Sequence, residues 1–266
     1  MRRPLQALLM IILAMAVVGC GCGPYEEQLQ RTQARLAQLD EEDRLLGEPP
    51  VLPMDQGLSV FLRPPRLIQD AGTTTGSPAP DWLLAFPWHD PRETLAPLEM
   101  FVGVHPCSGS REDLEASIQG ELAASAEEVR RINDAGAARD IVVTRLCSRP
   151  ADQVPVRYRR LVLQTLQMPP AATTRRPALR GPCYYRFEVF LHEVDDLCVV
   201  VAFKLLDREA TERSWKALGA GPAELRRLPT LDRKTFTAQR DACLATLRTG
   251  LEAQAARKAW KGGPPS

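Results

Sequence analysis

The spacing of apolar residues along the chain predicts a group of β-strands with helices before and after it. The last strand contains Cys198-Val199-Val200-Val201-Ala202-Phe203, which is apolar throughout and therefore predicts the central strand of a sheet. A hairpin turn at Val194-Asp195-Asp196 precedes it. Runs of β-branched and apolar residues predict strands at 98–104, 141–146, 156–167, 183–193 and 197–206.

The same spacing predicts three helices around these strands. The first begins at Ser110, which forms a capping-box variant with Asp113, and continues through Ile132. The others cover residues 209–218 and 236–258. Clustered antiparallel strands between helices predict an α+β domain over residues 82–257, an antiparallel sheet with packed helices.

The order of these elements resembles that of the PsbP-like α/β sandwich. A strand and a helix are followed by several strands and then by a long C-terminal helix. The resemblance rests on this order and on no sequence motif, and it implies an assembly or accessory role for the domain.

The N-terminus has the pattern of a secretory signal peptide. Met1-Arg2-Arg3 is positively charged, residues 4–18 are apolar except Gln6, and small residues follow at Gly19 and Cys20. A membrane-spanning helix is the alternative interpretation, but it needs about 20 apolar residues. This run is shorter and is followed by several glycines, so residues 1–19 are predicted to be a signal peptide.

Val17-Val18-Gly19-Cys20 resembles the lipobox of bacterial lipoproteins. The resemblance implies that the chain is cut before Cys20, that the Cys20 sulfur receives a diacylglycerol and that fatty acids such as palmitate anchor it. In some bacteria an acidic residue after the lipidated cysteine favours retention in the inner membrane. This chain has Gly21 at that position, which favours the outer membrane if the cell has two. The alternative is an unmodified thiol behind a signal peptide. Several acyl chains on one residue would hold the protein stably to a bilayer.

The start of the mature chain, residues 20–46, is predicted to be the lipid anchor followed by a helical stalk. Two interpretations of the helix remain open: a short coiled coil that self-associates, and an amphipathic helix that lies on its own domain. Its heptad seam consists of Tyr25, Leu29, Thr32, Leu36, Leu39, Asp43 and Leu46.

The segments on either side of the predicted domain are rich in Pro and Gly, and the first of them is also rich in Thr. Residues 47–81 predict a flexible linker, since such a composition cannot bury a core. Within it, the apolar residues 58–62 could add a strand or a plug to the domain. Residues 258–266 predict a disordered tail.

The charge and cysteine content narrow the class of protein. Loss of Arg2 and Arg3 with the signal peptide leaves 32 basic and 33 acidic residues, a net charge of −1. This balance gives no support to nucleic-acid binding, which requires a basic face. Beyond Cys20, the remaining six cysteines allow up to three disulfides in an exported protein. They can be paired in fifteen different ways, and the sequence does not select among them. These cysteines are Cys22, Cys107, Cys147, Cys183, Cys198 and Cys243.

The sequence predicts no catalytic, cofactor or metal residues. His105 near Cys107 is the nearest approach to a thiol catalytic pair, and adjacency alone does not make one. The acidic tip Glu193, Asp195 and Asp196 lacks the spacing of a calcium loop and predicts a solvated turn. Three arginines in a Pro-rich loop could meet an acidic partner or phosphate, or simply be solvated. They are Arg175, Arg176 and Arg180.

These features together predict a non-enzymatic, lipid-anchored protein of a bacterial cell envelope. Its domain is expected to bind another envelope protein through the sheet or through the arginine-bearing loop. One alternative is a carrier that holds an apolar small molecule between sheet and helix, which would require a large apolar cavity. The other is a hydrolase or thiol enzyme whose catalytic residues are scattered along the chain.

Overall fold

The computed structural model describes nine stretches of the chain. The signal peptide, Cys20, most of the predicted linker and the three arginines of the loop lie outside them, so the predictions for these residues stay predictions. The chain divides into two units, of which the first contains the N-terminal helix up to Arg44 and the second contains the sheet and the other helices. The described residues are 22–49, 58–69, 82–86, 95–107, 110–123, 128–131, 140–146, 153–168 and 181–261.

The N-terminal helix, α1 (Cys22–Leu45), covers the predicted stalk. Side-chain pairs one turn apart stabilise it, including Glu27 with Arg31 and Glu41 with Arg44. The seam residues Tyr25, Leu29 and Leu36 are 68%, 44% and 55% exposed. In the described residues, no helix has the length and hydropathy needed to span a membrane.

The second unit contains nine strands and six helices in its described residues. The strands are β1 (Val60–Phe61), β2 (Trp82–Phe86), β3 (Leu98–Pro106), β4 (Glu128–Arg131), β5 (Asp140–Leu146), β6 (Gln153–Gln167), β7 (Cys183–Val194), β8 (Leu197–Leu206) and β9 (Arg248–Thr249). The helices are α2 (Arg66–Gln69), α3 (Arg111–Ala123), α4 (Arg208–Ala217), α5 (Pro222–Leu225), α6 (Arg233–Thr246) and α7 (Gly250–Lys261).

The main sheet confirms the predicted α+β class. Its strands lie in the order β2-β3-β8-β7-β6-β4, with β5 also paired to β6. The five pairs along this path are all antiparallel. The all-apolar strand β8 lies between β3 and β7, in the central position that its sequence predicts.

Buried side chains cover both faces of this sheet. On the first face, Phe190 and Phe203 pack beneath Phe236 of α6. On the second face, Phe187 and its neighbours pack with Ile118 of α3 and Trp215 of α4. We call these the first and second clusters. In the central strands β7 and β8, both faces are therefore covered by packed side chains.

A segment of the predicted linker packs into the second unit. Its strand β1 pairs with β9 through Val60 opposite Thr249. The backbone N–H of Arg63 donates to Thr246 Oγ1 at 2.9 Å, and that of Leu67 donates to Gln239 Oε1 at 3.1 Å. The folded unit therefore includes residues 58–69, upstream of the expected start at residue 82, as the apolar run 58–62 had suggested.

Two helices differ from their predicted bounds. The helix that begins after the Ser110–Asp113 cap ends at Ala123, and Glu128–Arg131 instead forms β4 against β6. The C-terminal helix is interrupted at Leu247, because Arg248–Thr249 pairs with β1. Gly250 restarts the helix with a φ of 57°, a left-handed conformation that glycine adopts without cost.

Candidate binding groove

An open groove of about 790 Å³ lies at one end of the sheet. It is formed where β6 begins, where the β7–β8 hairpin turns and where α7 starts. Its lining residues all belong to the second unit. They are Asp140, Val154, Pro155, Val156, Arg157, Tyr158, Arg159, Leu191, His192, Glu193, Val194, Asp195, Thr249 and Glu252.

Tyr158 lines the groove and is anchored by contacts with neighbouring elements. Its ring is 1% exposed, and its hydroxyl donates to the Leu244 carbonyl of α6 at 2.6 Å. The same ring lies 5.3 Å from that of His192, whose Nδ1 is 3.2 Å from the Arg157 carbonyl oxygen. These contacts join β6, β7 and α6. The part of the groove lining around Tyr158 is therefore held in place by the packed core.

The groove walls carry more negative than positive charge. Four carboxylates line it, those of Asp140, Glu193, Asp195 and Glu252, against the guanidinium groups of Arg157 and Arg159. Arg159 also contacts a carboxylate outside the groove, at 2.7 Å between its Nη2 and Glu115 Oε1. The groove lining therefore has two more acidic than basic side chains beside apolar residues, and this combination suits a lysine or arginine side chain with its long aliphatic stem.

Two residues of the acidic tip predicted from the sequence, Glu193 and Asp195, line this groove. Asp195 has a φ of 53°, the left-handed conformation that aspartate tolerates in tight turns. Within the described residues, no group of three or more His, Cys, Asp or Glu side chains is arranged to hold a metal ion. Asp195 and Asp196 are exposed and form the turn between β7 and β8.

The structure describes the surroundings of both His105 and Cys107. His105 is 4% exposed, and its Nδ1 lies 3.6 Å from Glu121 Oε1 on α3. Burial, and then the charge of Glu193, raise the pKa of the Cys107 thiol. A catalytic cysteine needs a lowered pKa because its thiolate is the nucleophile. This environment has the opposite effect, and it gives no support to the thiol-enzyme alternative.

A buried charge cluster on the first face was not predicted from the sequence. The Glu188 carboxylate of β7 is contacted by Arg240 Nη1 of α6 at 2.6 Å, by Arg160 Nη2 of β6 at 3.3 Å and by Arg186 Nε at 3.7 Å. The side chain of Glu188 is only 6% exposed. Glu188 lies between apolar residues of β7, and this position could have indicated a buried carboxylate. Because buried carboxylates are paired, it could also have indicated a basic partner.

The space between the sheet and α6 is filled by aromatic side chains. The ring centroids of Phe203 and Phe236 lie 5.6 Å apart, and those of Phe190 and Phe203 lie 6.0 Å apart. A carrier would hold its apolar ligand between sheet and helix, where these rings lie. The observation favours a binding surface over a carrier.

Comparison with known proteins gives a weak structural likeness. No protein-family model and no curated protein matches the sequence. The chain is similar to the Ran-binding protein Mog1p of Saccharomyces cerevisiae, with a TM-score of 0.36, 10% identity, and coverage of 76% of this chain and 95% of that one. A structure of a Mog1 point variant gives a TM-score of 0.35, 10% identity and coverage of 76% and 96%. Likeness at this level carries no argument about function.

Proposed function

We propose that this protein is a lipid-anchored, non-enzymatic binding module of a bacterial cell envelope. The observation that carries the proposal is the charged and apolar N-terminus that ends in Val17-Val18-Gly19-Cys20. Lipid on Cys20 holds the mature chain to a membrane, with the outer membrane favoured where there are two. The helix α1 serves either as a spacer or in self-association.

The groove is the proposed contact site for an envelope protein. Its four carboxylates attract a partner with exposed lysines or arginines, and this attraction steers the encounter and selects the partner. Apolar residues of the lining, among them the exposed Val154, receive the stems of those side chains. The proposed partner is therefore a protein segment with a positive charge.

Photo-crosslinking in living cells tests this assignment. A benzophenone side chain at Val154, which lines the groove and is 39% exposed, should give a recurrent adduct with one envelope protein. The same probe at Leu218, which is 51% exposed and does not line the groove, is the matched control and should not give that adduct. Mass spectrometry identifies the attached protein.

Charge reversal within the groove supplies the second comparison. Asp140→Lys combined with Glu252→Lys should reduce the Val154 adduct by about tenfold or more, because like charges then face the partner. Glu112→Lys, at an exposed position of α3, should leave the adduct unchanged. Equal adducts from Val154 and Leu218, or an adduct insensitive to the groove charges, would contradict the assignment.

A further inference from the structure

Two cysteine side chains meet at the end of the β3–β8 ladder. Cys198 is paired directly with His105 in this ladder, and Cys107 follows His105 by two residues on the same face of the sheet. The backbone N–H of Cys107 donates to the Asp196 carbonyl at 2.7 Å, which holds Cys107 beside the hairpin. Both side chains pack in the second cluster, Cys198 within it and Cys107 at its margin.

The two cysteines are close neighbours on this face. Cys107 is the diagonal neighbour of Cys198 in the ladder, and both belong to the second cluster. Diagonal neighbours in an antiparallel pair have Cα atoms about 7–8 Å apart. Disulfides span Cα separations up to about 6.8 Å. Cys107 lies just beyond the last residue of β3, so the approach that a disulfide needs would act first on its backbone bond to Asp196 and not on the paired residues of β3.

The two thiols differ in access. Cys198 is fully buried, whereas Cys107 is partly exposed. Burial raises the pKa of Cys198 to about 12, and its neighbours Cys107 and Glu193 add to the effect. An external disulfide can therefore reach Cys107 first, and Cys198 is placed to act second, as the resolving thiol.

We propose that Cys107 and Cys198 form a reversible redox pair that closes to a disulfide on reaction with an external disulfide, either glutathione disulfide or a disulfide-bonded oxidoreductase. The Cys107 thiolate attacks one sulfur of the reagent, its proton passes to water, and the first thiol leaves. Cys198 then loses its proton and attacks the Cys107 sulfur, and the second thiol leaves. The protein gives up two electrons and two protons, and the reagent is reduced to two thiols.

The proposed bond would tie the end of β3 to the hairpin that forms one wall of the groove. It closes the long stretch of chain between two neighbouring strands, so it would restrict the unfolded chain and raise the unfolding midpoint. This consequence is independent of the lipid anchor and of the partner. Failure of either proposal would leave the other unaffected.

The test is peptide mapping of the full chain after incubation with glutathione disulfide. The reduced chain is incubated with glutathione disulfide, and its remaining thiols are then alkylated. It is digested with trypsin without a further reduction step, so that any disulfide stays intact. Cys107 and Cys198 fall in different tryptic peptides, Glu93–Arg111 and Phe187–Lys204, and each peptide has a single cysteine. We expect these two peptides to be joined, with the loss of two hydrogens. The buried Cys243 should be alkylated only after denaturation and serves as the internal control.

Two variants separate the steps. Cys198→Ala should trap the glutathione adduct on Cys107, and Cys107→Ser, at the more exposed position, should leave Cys198 a thiol. A denatured sample in the same buffer shows that the reagent is active. The proposal is overturned if native Cys107 stays a thiol, if it stops at the glutathione adduct although Cys198 is present, or if it joins another cysteine.

Discussion

Replacing Glu188 with glutamine should lower the free energy of unfolding by about 3–5 kcal/mol, as expected when one partner of a buried ion pair is removed. The side chain keeps its shape, but its negative charge is lost. Arg160, Arg186 and Arg240 then remain around a neutral group at the sheet–α6 contact. Chemical denaturation followed by fluorescence measures the change.

A surface carboxylate provides the matched control for this substitution. Glu212 on α4 contacts Arg208 at 2.9 Å and Lys216 at 3.6 Å, and its side chain is 26% exposed, against 6% for Glu188. Glu212→Gln should cost no more than about 1 kcal/mol, since exposed pairs contribute little. A double replacement of Glu188 and Arg240 should be less destabilising than the sum of the single changes. Equal effects of Glu188→Gln and Glu212→Gln would contradict the importance of the buried cluster.

Truncation of Phe236 to alanine should destabilise the chain by about 3–5 kcal/mol. The ring is 1% exposed and lies edge-on to Phe203, so its loss leaves a cavity between α6 and the sheet. The Arg240 guanidinium also lies 5.9 Å from this ring and loses that contact. Thermal and denaturant unfolding report the loss.

Two further substitutions show whether the effect comes from packing. Phe236→Leu should cost about half as much or less, because it restores most of the volume. Leu251→Ala, at a position 82% exposed on α7, should change the free energy of unfolding by no more than about 0.5 kcal/mol. A small effect of Phe236→Ala would mean that the space beneath α6 is not closely packed, and the carrier alternative would regain support.

The regular elements were predictable because their apolar period is local. The continuous apolar run of β8 identified the central strand, and the Ser110–Asp113 cap identified the start of α3. The end of α3 was not predictable in the same way. Residues 128–131 carry a helix-compatible pattern, and their strand conformation comes from pairing with β6, a contact distant in sequence.

Long-range pairing also explains the other differences. The interruption at Leu247 depends on β1, nearly two hundred residues away, and Gly250 was the one local sign of it. The groove and the Glu188 cluster each combine residues from several elements, which no local pattern brings together. Only the hairpin tip of the groove was recognisable from the sequence, because its turn residues are consecutive.

Fatty-acid labelling of cells that produce the chain tests the lipid anchor most directly. A radioactive or clickable palmitate analogue should label the native protein and the Cys22→Ala variant, and it should not label Cys20→Ala. Cys22→Ala is the matched control because it removes a thiol two residues away and leaves the lipobox resemblance intact. Label on Cys20 would support a chain held at a membrane surface by its first mature residue. Equal labelling of the native chain and Cys20→Ala, or no labelling of either, would contradict the account.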